Sequence, residues 1–273
     1  MPGKRKSATL LVGAGRMGGA LLNGWVNSGL NPIIAIEPVP SPKLKKFAGE
    51  HGIELVDHVD RVVVAAVRTC VVALKPQVLR TEAAALRAIP QKGALMLSIA
   101  AGTSMAQLKL AWGRRAHIVR AMPNTPGAIG YGVTALYAPR NISLAERKRA
   151  HALVAGLGEV VWVNSEDDID AVTAVSGSGP AYVFLLTEAL ARAGENIGLS
   201  PAVAGQLARA TVVGSGMLLA KDARPPSELR HDVTSPGGTT EAASKVLMAE
   251  DGLEALLRRA VAAARQRAVG LRS

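Results

Sequence analysis

Ser235-Pro236-Gly237-Gly238-Thr239-Thr240 sets two adjacent glycines and two hydroxyls directly before a helical pattern carried by Glu241, Ala242, Val246 and Leu247. Adjacent glycines leave backbone N–H groups bare and let a ligand approach closely. Unpaired N–H groups at a helix start, with the positive end of the helix dipole behind them, make an anion site. A small carboxylate fits there, with the Thr240 hydroxyl beside it. The same letters also spell an ordinary capped helix after a turn, because Ser or Thr at the cap with Glu in the first turn is a helix-start signature.

A second constellation lies near the N-terminus. Ala8 to Val12 reads as a short apolar strand, followed by Gly13-Ala14-Gly15-Arg16-Met17-Gly18 and an amphipathic helix through Leu21, Leu22 and Trp25 that stops at Gly29. Pro32 to Ile36 is a second strand, ending at Glu37. Strand, G-x-G-x-x-G, helix, strand, acid is the order of a dinucleotide-binding unit, and Glu37 follows Gly18 at about the expected 20 residues. The first glycine permits a tight turn. The second lets a pyrophosphate touch backbone, and the third lets the helix pack on the strand. An acid at Glu37 accepts hydrogen bonds from both ribose hydroxyls of NADH and opposes the 2′-phosphate of NADPH, so NAD(P)H is the expected cofactor, with a lean to NADH. Ser41, Lys43, Lys45 and Lys46 stand just downstream as groups able to meet a phosphate.

The elements that must position these residues alternate. A helix over roughly 42–51 precedes a strand near Ile53 to Leu55. Later strands cover Cys70 to Leu74, Ala94 to Ile99 and His117 to Ala121, with two more at Tyr131 to Tyr137 and Val160 to Val163. In an open parallel sheet, ligands bind outside the carboxyl ends of the strands. Those ends carry the glycine loop, then Ala73-Leu74-Lys75-Pro76, Ala100-Ala101-Gly102 and Pro123-Asn124-Thr125-Pro126. Lys75 is placed to meet phosphate or the nicotinamide amide, or else is a solvated loop lysine. From Glu166 onward the pattern is Ala- and Leu-rich helix without a clear strand. Helices are expected near Ile169 to Val175, from Pro180 to Asn196, from Pro201 to about Lys221, and from Leu253 to Val269. The expected fold is α/β: a Rossmann-type doubly wound sheet (residues 1–164) followed by an all-helical C-terminal domain (residues 165–273). The stretch from Ala202 to Ala220 is apolar almost all round, so it must be buried, and a domain of about 110 residues has little room for it alone. A subunit interface is the expected cover.

Composition removes other classes. The formal charge is +11, with basic clusters at Lys4-Arg5-Lys6 and at Arg258, Arg259, Arg265, Arg267 and Arg272. No aromatic residues interleave with them, so base stacking and nucleic-acid binding have little support. The lone Cys70 sits in an apolar run, which excludes an internal disulfide framework and fits a cytoplasmic location. The basic N-terminus runs straight into a βα pattern rather than a signal peptide. The uncharged runs Ala121 to Pro139 and Ala171 to Thr187 are broken by Pro and Gly, so no membrane span is expected. The five histidines and one cysteine show no metal-ligand spacing. Ser176-Gly177-Ser178-Gly179-Pro180 lacks the strand–turn–helix context of a nucleophilic serine.

Several motifs together resemble pyrroline-5-carboxylate reductase. They are GAGRMG at 13–18, ALKP at 73–76, SIAAG at 98–102, RAMPNTP at 120–126, DAVTAVSGSGPAY at 170–182 and SPGGTT at 235–240. The likeness spans about residues 8–270, and its last three motifs are far more specific than a glycine loop. It implies hydride transfer from the nicotinamide to the C=N carbon of 1-pyrroline-5-carboxylate, giving proline. It also implies a homodimer through the helical domain and often a larger ring of dimers. By the same resemblance Ser235, Gly237, Gly238, Thr239 and Thr240 hold the substrate, Glu166 is an acid near it, and Asn124 faces the cofactor. A protonated imine already carries positive charge, so Thr240 would orient and hydrogen-bond the nitrogen rather than act as a strong acid. The chain departs from the family at Arg230-His231-Asp232-Val233, where the acid is displaced by one position, and at Glu37-Pro38-Val39-Pro40-Ser41, where many members carry small hydroxyl residues. Two alternatives remain at this stage: a β-hydroxyacid dehydrogenase, although the helical domain has no Lys before Lys221, and a nucleotide-sensing regulator supported only by the basic charge.

Overall fold

A computed structural model describes residues 7–272; the Lys4-Arg5-Lys6 cluster lies outside them. Eight strands form one sheet: β1 (Ala8–Val12), β2 (Ile33–Ile36), β3 (Glu54–Val56), β4 (Val67–Val72), β5 (Leu95–Ser98), β6 (Ile118–Met122), β7 (Gly132–Tyr137) and β8 (Gly158–Trp162). Their order is β3-β2-β1-β4-β5-β6-β7-β8. All pairings are parallel except β6 with β7. The chain winds one way from β1 to β3 and the other way from β4 onward, so the switch point lies between the carboxyl ends of β1 and β4, where this fold binds ligands.

The helices of this unit are α1 (Arg16–Asn27), α2 (Pro42–His51), α3 (Pro76–Glu82), α4 (Ala88–Gln91), α5 (Met105–Trp112), α6 (Leu144–Val154) and α7 (Glu166–Val172). Successive strand residues feed opposite layers: Leu10, Cys70, Met96 and Ile118 join one core, Leu11, Val71, Leu97 and Val119 the other. A sheet covered on both faces needs unbroken apolar strands, which is how these segments read. The two large indoles are buried with their N–H groups satisfied: Trp25 donates to the Leu153 carbonyl at 2.7 Å and Trp112 to the Ala83 carbonyl at 3.0 Å. Strand β4 starts and ends earlier than its apolar run suggests. Leu74 has left the ladder, and the Ala73 N–H reaches the Val12 carbonyl at 2.8 Å, which turns the chain toward the glycine loop.

The chain divides into two compact units, residues 1–177 with 265–273, and residues 178–264. The division falls later than the change in composition at Asn164. Helix α7 follows the last strand, but it packs on β6 and β7 and buries Ile169 and Asp170, and the π-helical turn Thr173–Gly177 buries Ala174. Composition marks where strands cease; packing marks where the unit ends.

The second unit holds α8 (Gly179–Asn196), α9 (Pro201–Lys221), α10 (Pro226–Asp232), α11 (Thr239–Leu247) and most of α12 (Leu253–Gly270). Helices α8 and α9 pack closely: a Cβ built on Gly194 would stand 3.2 Å from that of Ala204. Within one chain α9 buries only Ala204 and Ala208. Phe184 on α8 and Met217 on α9 are 62% and 60% exposed. The stretches Glu166–Asn196 and Pro201–Lys221 are also long and apolar enough to cross a membrane by length and composition; the first contains the run Ala171 to Thr187, for which no span was expected.

Candidate functional site

At the switch point, Gly13 has φ +89, and a Cβ there would sit 2.9 Å from the Leu74 side chain and 3.0 Å from the Ala73 carbonyl. Only glycine fits. A Cβ on Gly18 would lie 2.1 Å from the Gly13 carbonyl, so this residue serves the close packing of α1 on its loop. A Cβ on Gly15 would meet nothing within 4 Å. Gly15 is the N-cap of α1, which has no side-chain cap and no acid in its first turn. The open space and uncapped helix start suit a pyrophosphate.

Glu37 is half-buried and accepts the Ala14 N–H at 2.9 Å, so the acid on β2 is anchored to the loop itself. Gly13, Gly15, Glu37, Ala73, Leu74 and Lys75 converge on a cavity of about 580 Å³. Asp57 and Glu82 line it too, making it predominantly acidic. On the loop's other flank, Ala14, Gly15, Arg16, Ser41 and Lys43 line a separate cavity of about 350 Å³. Lys75 shares the cavity of the acids, and Arg61 pairs with Asp57 at 3.3 Å, whereas Arg16 and Lys43 line the other flank. Met17 packs into the core, and Pro76 opens α3 as its first residue.

The Ala100-Ala101-Gly102 loop follows β5. Gly102 has φ +66, and a Cβ on it would meet the Leu271 Cβ at 2.7 Å, so the end of the chain lies against this loop. Asn124 uses both ends of its amide internally: Oδ1 accepts the Val133 N–H at 2.9 Å and Nδ2 donates to the Ser176 carbonyl at 3.2 Å. It ties the end of β6 to β7 and to the turn after α7.

Glu166 accepts through Oε1 from Arg120 Nη1 at 2.7 Å and from the Met105 N–H at 2.5 Å. Arg120 is 2% exposed. Burial lowers its pKa, against the opposing pull of Glu166. Arg272 completes the network, donating to Asp167 at 2.9 Å and to the Glu166 carbonyl at 2.8 Å and contacting Asp170 at 2.5 Å. Burial opposes the Arg272 charge, but the bonds to Asp167 and Asp170 outweigh it and its pKa is raised. Gln107 holds the Arg272 carbonyl at 2.9 Å. The sequence reading missed Arg120 and Arg272. Arg120 carried a signal, since a charge inside a buried strand demands a carboxylate partner. Arg272 carried none.

In the helical unit, Gly238 caps α11, with no side-chain cap. This corrects the expected Ser or Thr cap. The Gly238 N–H closes the turn onto the Ser235 carbonyl at 3.0 Å, which moves the cap to the glycine, and Glu241 reaches back to the Gly237 N–H at 2.9 Å. Gly237 has φ +72 and open space around it. Ser235, Gly237, Thr239 and Thr240 are exposed and Gly238 half-buried, so the loop presents its hydroxyls, but the Gly237 and Gly238 N–H groups expected to be bare are bonded within the loop. Asp232, the displaced acid, is paired with Arg224 at 2.9 Å.

A glycine loop at the switch point, an uncapped helix start and an acid on β2 define a dinucleotide-dependent oxidoreductase. Residues 9–102 match the family model described as NADP oxidoreductase, coenzyme F420-dependent, and residues 166–271 match pyrroline-5-carboxylate reductase dimerisation. The chain is 40% identical over 262 residues to the pyrroline-5-carboxylate reductase of Pseudomonas aeruginosa, covering 95% of each protein. It superposes on the solved structure of a pyrroline-5-carboxylate reductase from Coxiella burnetii with TM-score 0.89 at 33% identity, covering 99% of this chain and 100% of that one. A pyrroline carboxylate reductase of Plasmodium falciparum, solved with NADP bound, gives TM-score 0.80 at 26% identity, covering 99% and 100%. The chain belongs to the pyrroline-5-carboxylate reductase family.

Proposed function

We propose that this chain is an NAD(P)H-dependent reductase that converts 1-pyrroline-5-carboxylate to L-proline, the last step of proline biosynthesis. The observation that carries the reading is the family likeness over nearly the full length, including both SGSGPAY and SPGGTT. It leaves no support for a β-hydroxyacid dehydrogenase or a non-catalytic regulator. The dinucleotide, when bound, supplies the hydride. The glycine loop, residues 13–18, receives its pyrophosphate, Glu37 its ribose, and Lys75 a phosphate or the nicotinamide amide. The segments 73–76 and 100–102 and Asn124 shape the rest of the cofactor site. In the helical unit, Ser235, Gly237, Gly238 and Thr239 hold the substrate carboxylate, and Thr240 orients the ring nitrogen. Their contribution is position and electrostatics, with the difficult chemistry left to the cofactor. Glu166, with Oε1 committed to Arg120 and α5, acts through charge and position rather than proton transfer.

Either cofactor is used, with a lean to NADH, because Glu37 is fixed to the loop in a cavity it shares with Asp57 and Glu82. The protein is a cytoplasmic homodimer through its helical unit, able to build a larger ring, with no membrane or nucleic-acid partner. Glu188, Arg192 and Glu195 on α8 and Arg209 on α9 would be costly in lipid. The test is an initial-rate assay of the purified chain with pyrroline-5-carboxylate beside a panel of β-hydroxy acids. Turnover confined to the cyclic imine is expected; equal or greater turnover of a β-hydroxy acid would overturn the assignment.

A further inference from the structure

The sheet carries a second cavity at its other end. The glycine loop and Lys75 stand at the carboxyl ends of the strands. At the opposite, amino-terminal ends of β4, β5 and β6 a cavity of about 550 Å³ opens between Arg68, Lys92, His117 and the start of α6, with Asn141 and Arg149 in its wall. Its one carboxylate is spent. Glu146 accepts from the Ser143 N–H at 2.9 Å and the Ser143 hydroxyl at 2.6 Å, and it meets His117 Nδ1 at 2.5 Å. Among the described residues, none of Arg68, Lys92 and Arg149 has a carboxylate within ion-pair distance, and all three face the same cavity. Burial lowers the pKa of Arg149, the like charge of Arg68 lowers it further, and Glu146 pulls the other way. Like charges gathered in a concave wall repel one another until a counter-charge arrives.

We infer that this cavity is an anion site, distinct from the cofactor loop, for a small ligand carrying two phosphate groups. Two guanidinium groups line the cavity, a donor chemistry suited to phosphate oxygens, and the Lys92 ammonium adds a third charge. A single carboxylate would satisfy one of these cations and leave two. The volume lies in the range of small-molecule sites, so either free pyrophosphate or the diphosphate of a nucleotide fits.

The test is calorimetric titration of the full chain with pyrophosphate and, separately, with ADP, at low ionic strength. The cofactor loop also attracts phosphates, so the informative quantity is the binding lost between wild type and the double variant Arg68→Ser/Arg149→Ser. The double variant should lose one saturable site per chain, with affinity there falling about tenfold or more, while NADH affinity is unchanged. Arg258→Ser/Arg259→Ser, which removes two exposed arginines elsewhere, should bind as wild type does. A larger loss with ADP assigns the site to a nucleotide; an equal loss assigns it to the free anion. Should the double variant fold poorly by circular dichroism, Lys92→Gln supplies the same comparison. Coincident isotherms for wild type and both cavity variants, or weak binding that falls equally in the Arg258/Arg259 control, would overturn the inference.

Discussion

Thr240 stands exposed in the first turn of α11, beside Gly237 and Gly238. If it orients the substrate nitrogen, Thr240→Ala removes one charge-assisted hydrogen bond of about 1.5–3 kcal/mol, and turnover falls roughly ten- to hundredfold. Cofactor affinity should change little, and Thr240→Ser should keep much of the activity. Wild-type kinetics in a folded Thr240→Ala variant would remove Thr240 from the reaction. Glu37 bears on cofactor choice. A carboxylate about 4 Å from a 2′-phosphate costs on the order of 1–4 kcal/mol when both are partly solvated. Glu37→Ser should therefore raise kcat/KM for NADPH relative to NADH, and an unchanged ratio would show that Glu37 does not read the ribose. Glu37 is singled out by its spacing from the glycine loop, whereas the role of Thr240 rests on the family resemblance. What spacing could not show is the bond from the Ala14 N–H to Glu37, because it depends on how β1 and β2 bring two loops together.

Among the elements, α6 depends on a charged carboxylate at its start. Its N-terminus carries a full capping box between Ser143 and Glu146. Burial works against the Glu146 charge, but the bonds from Ser143 and His117 outweigh it, and its pKa lies below the ordinary carboxyl value. The unfolded chain holds that proton at about pH 4.3. The Glu146 contribution to stability is thus fully present above that pH and is lost as pH falls through the lowered folded value. Glu146→Gln should be less stable than wild type at neutral pH, with the difference shrinking toward pH 3; a constant difference in urea midpoints across that range would contradict it. Ser143→Ala should cost about 1 kcal/mol at any pH where the cap forms. The apolar strands were readable in the letters, but α6 and its capping box were not among the expected elements. The network of Arg120, Glu166, Asp170 and Arg272 was not readable either, since it joins residues far apart in sequence, and Asn124 gave no hint that its amide is consumed internally.

For the whole molecule, the loss of strand pattern after Asn164 falls beside the start of the dimerisation match at residue 166, whereas packing divides the chain later, after Gly177. α7 buries itself on the sheet by contacts that composition does not encode, and the chain returns to the first unit at Arg265. The exposed apolar residues of α8 and α9 form a larger surface than a lone chain keeps in water. Light scattering should find at least a dimer at micromolar concentration, and an active monomer would refute the shared helical interface. The most direct test of the central claim is product stoichiometry. Purified chain, pyrroline-5-carboxylate and NADH or NADPH are incubated, and proline is quantified against the cofactor oxidised. One proline per cofactor consumed is the expected result; cofactor oxidation without proline, or no oxidation with either cofactor, would contradict it.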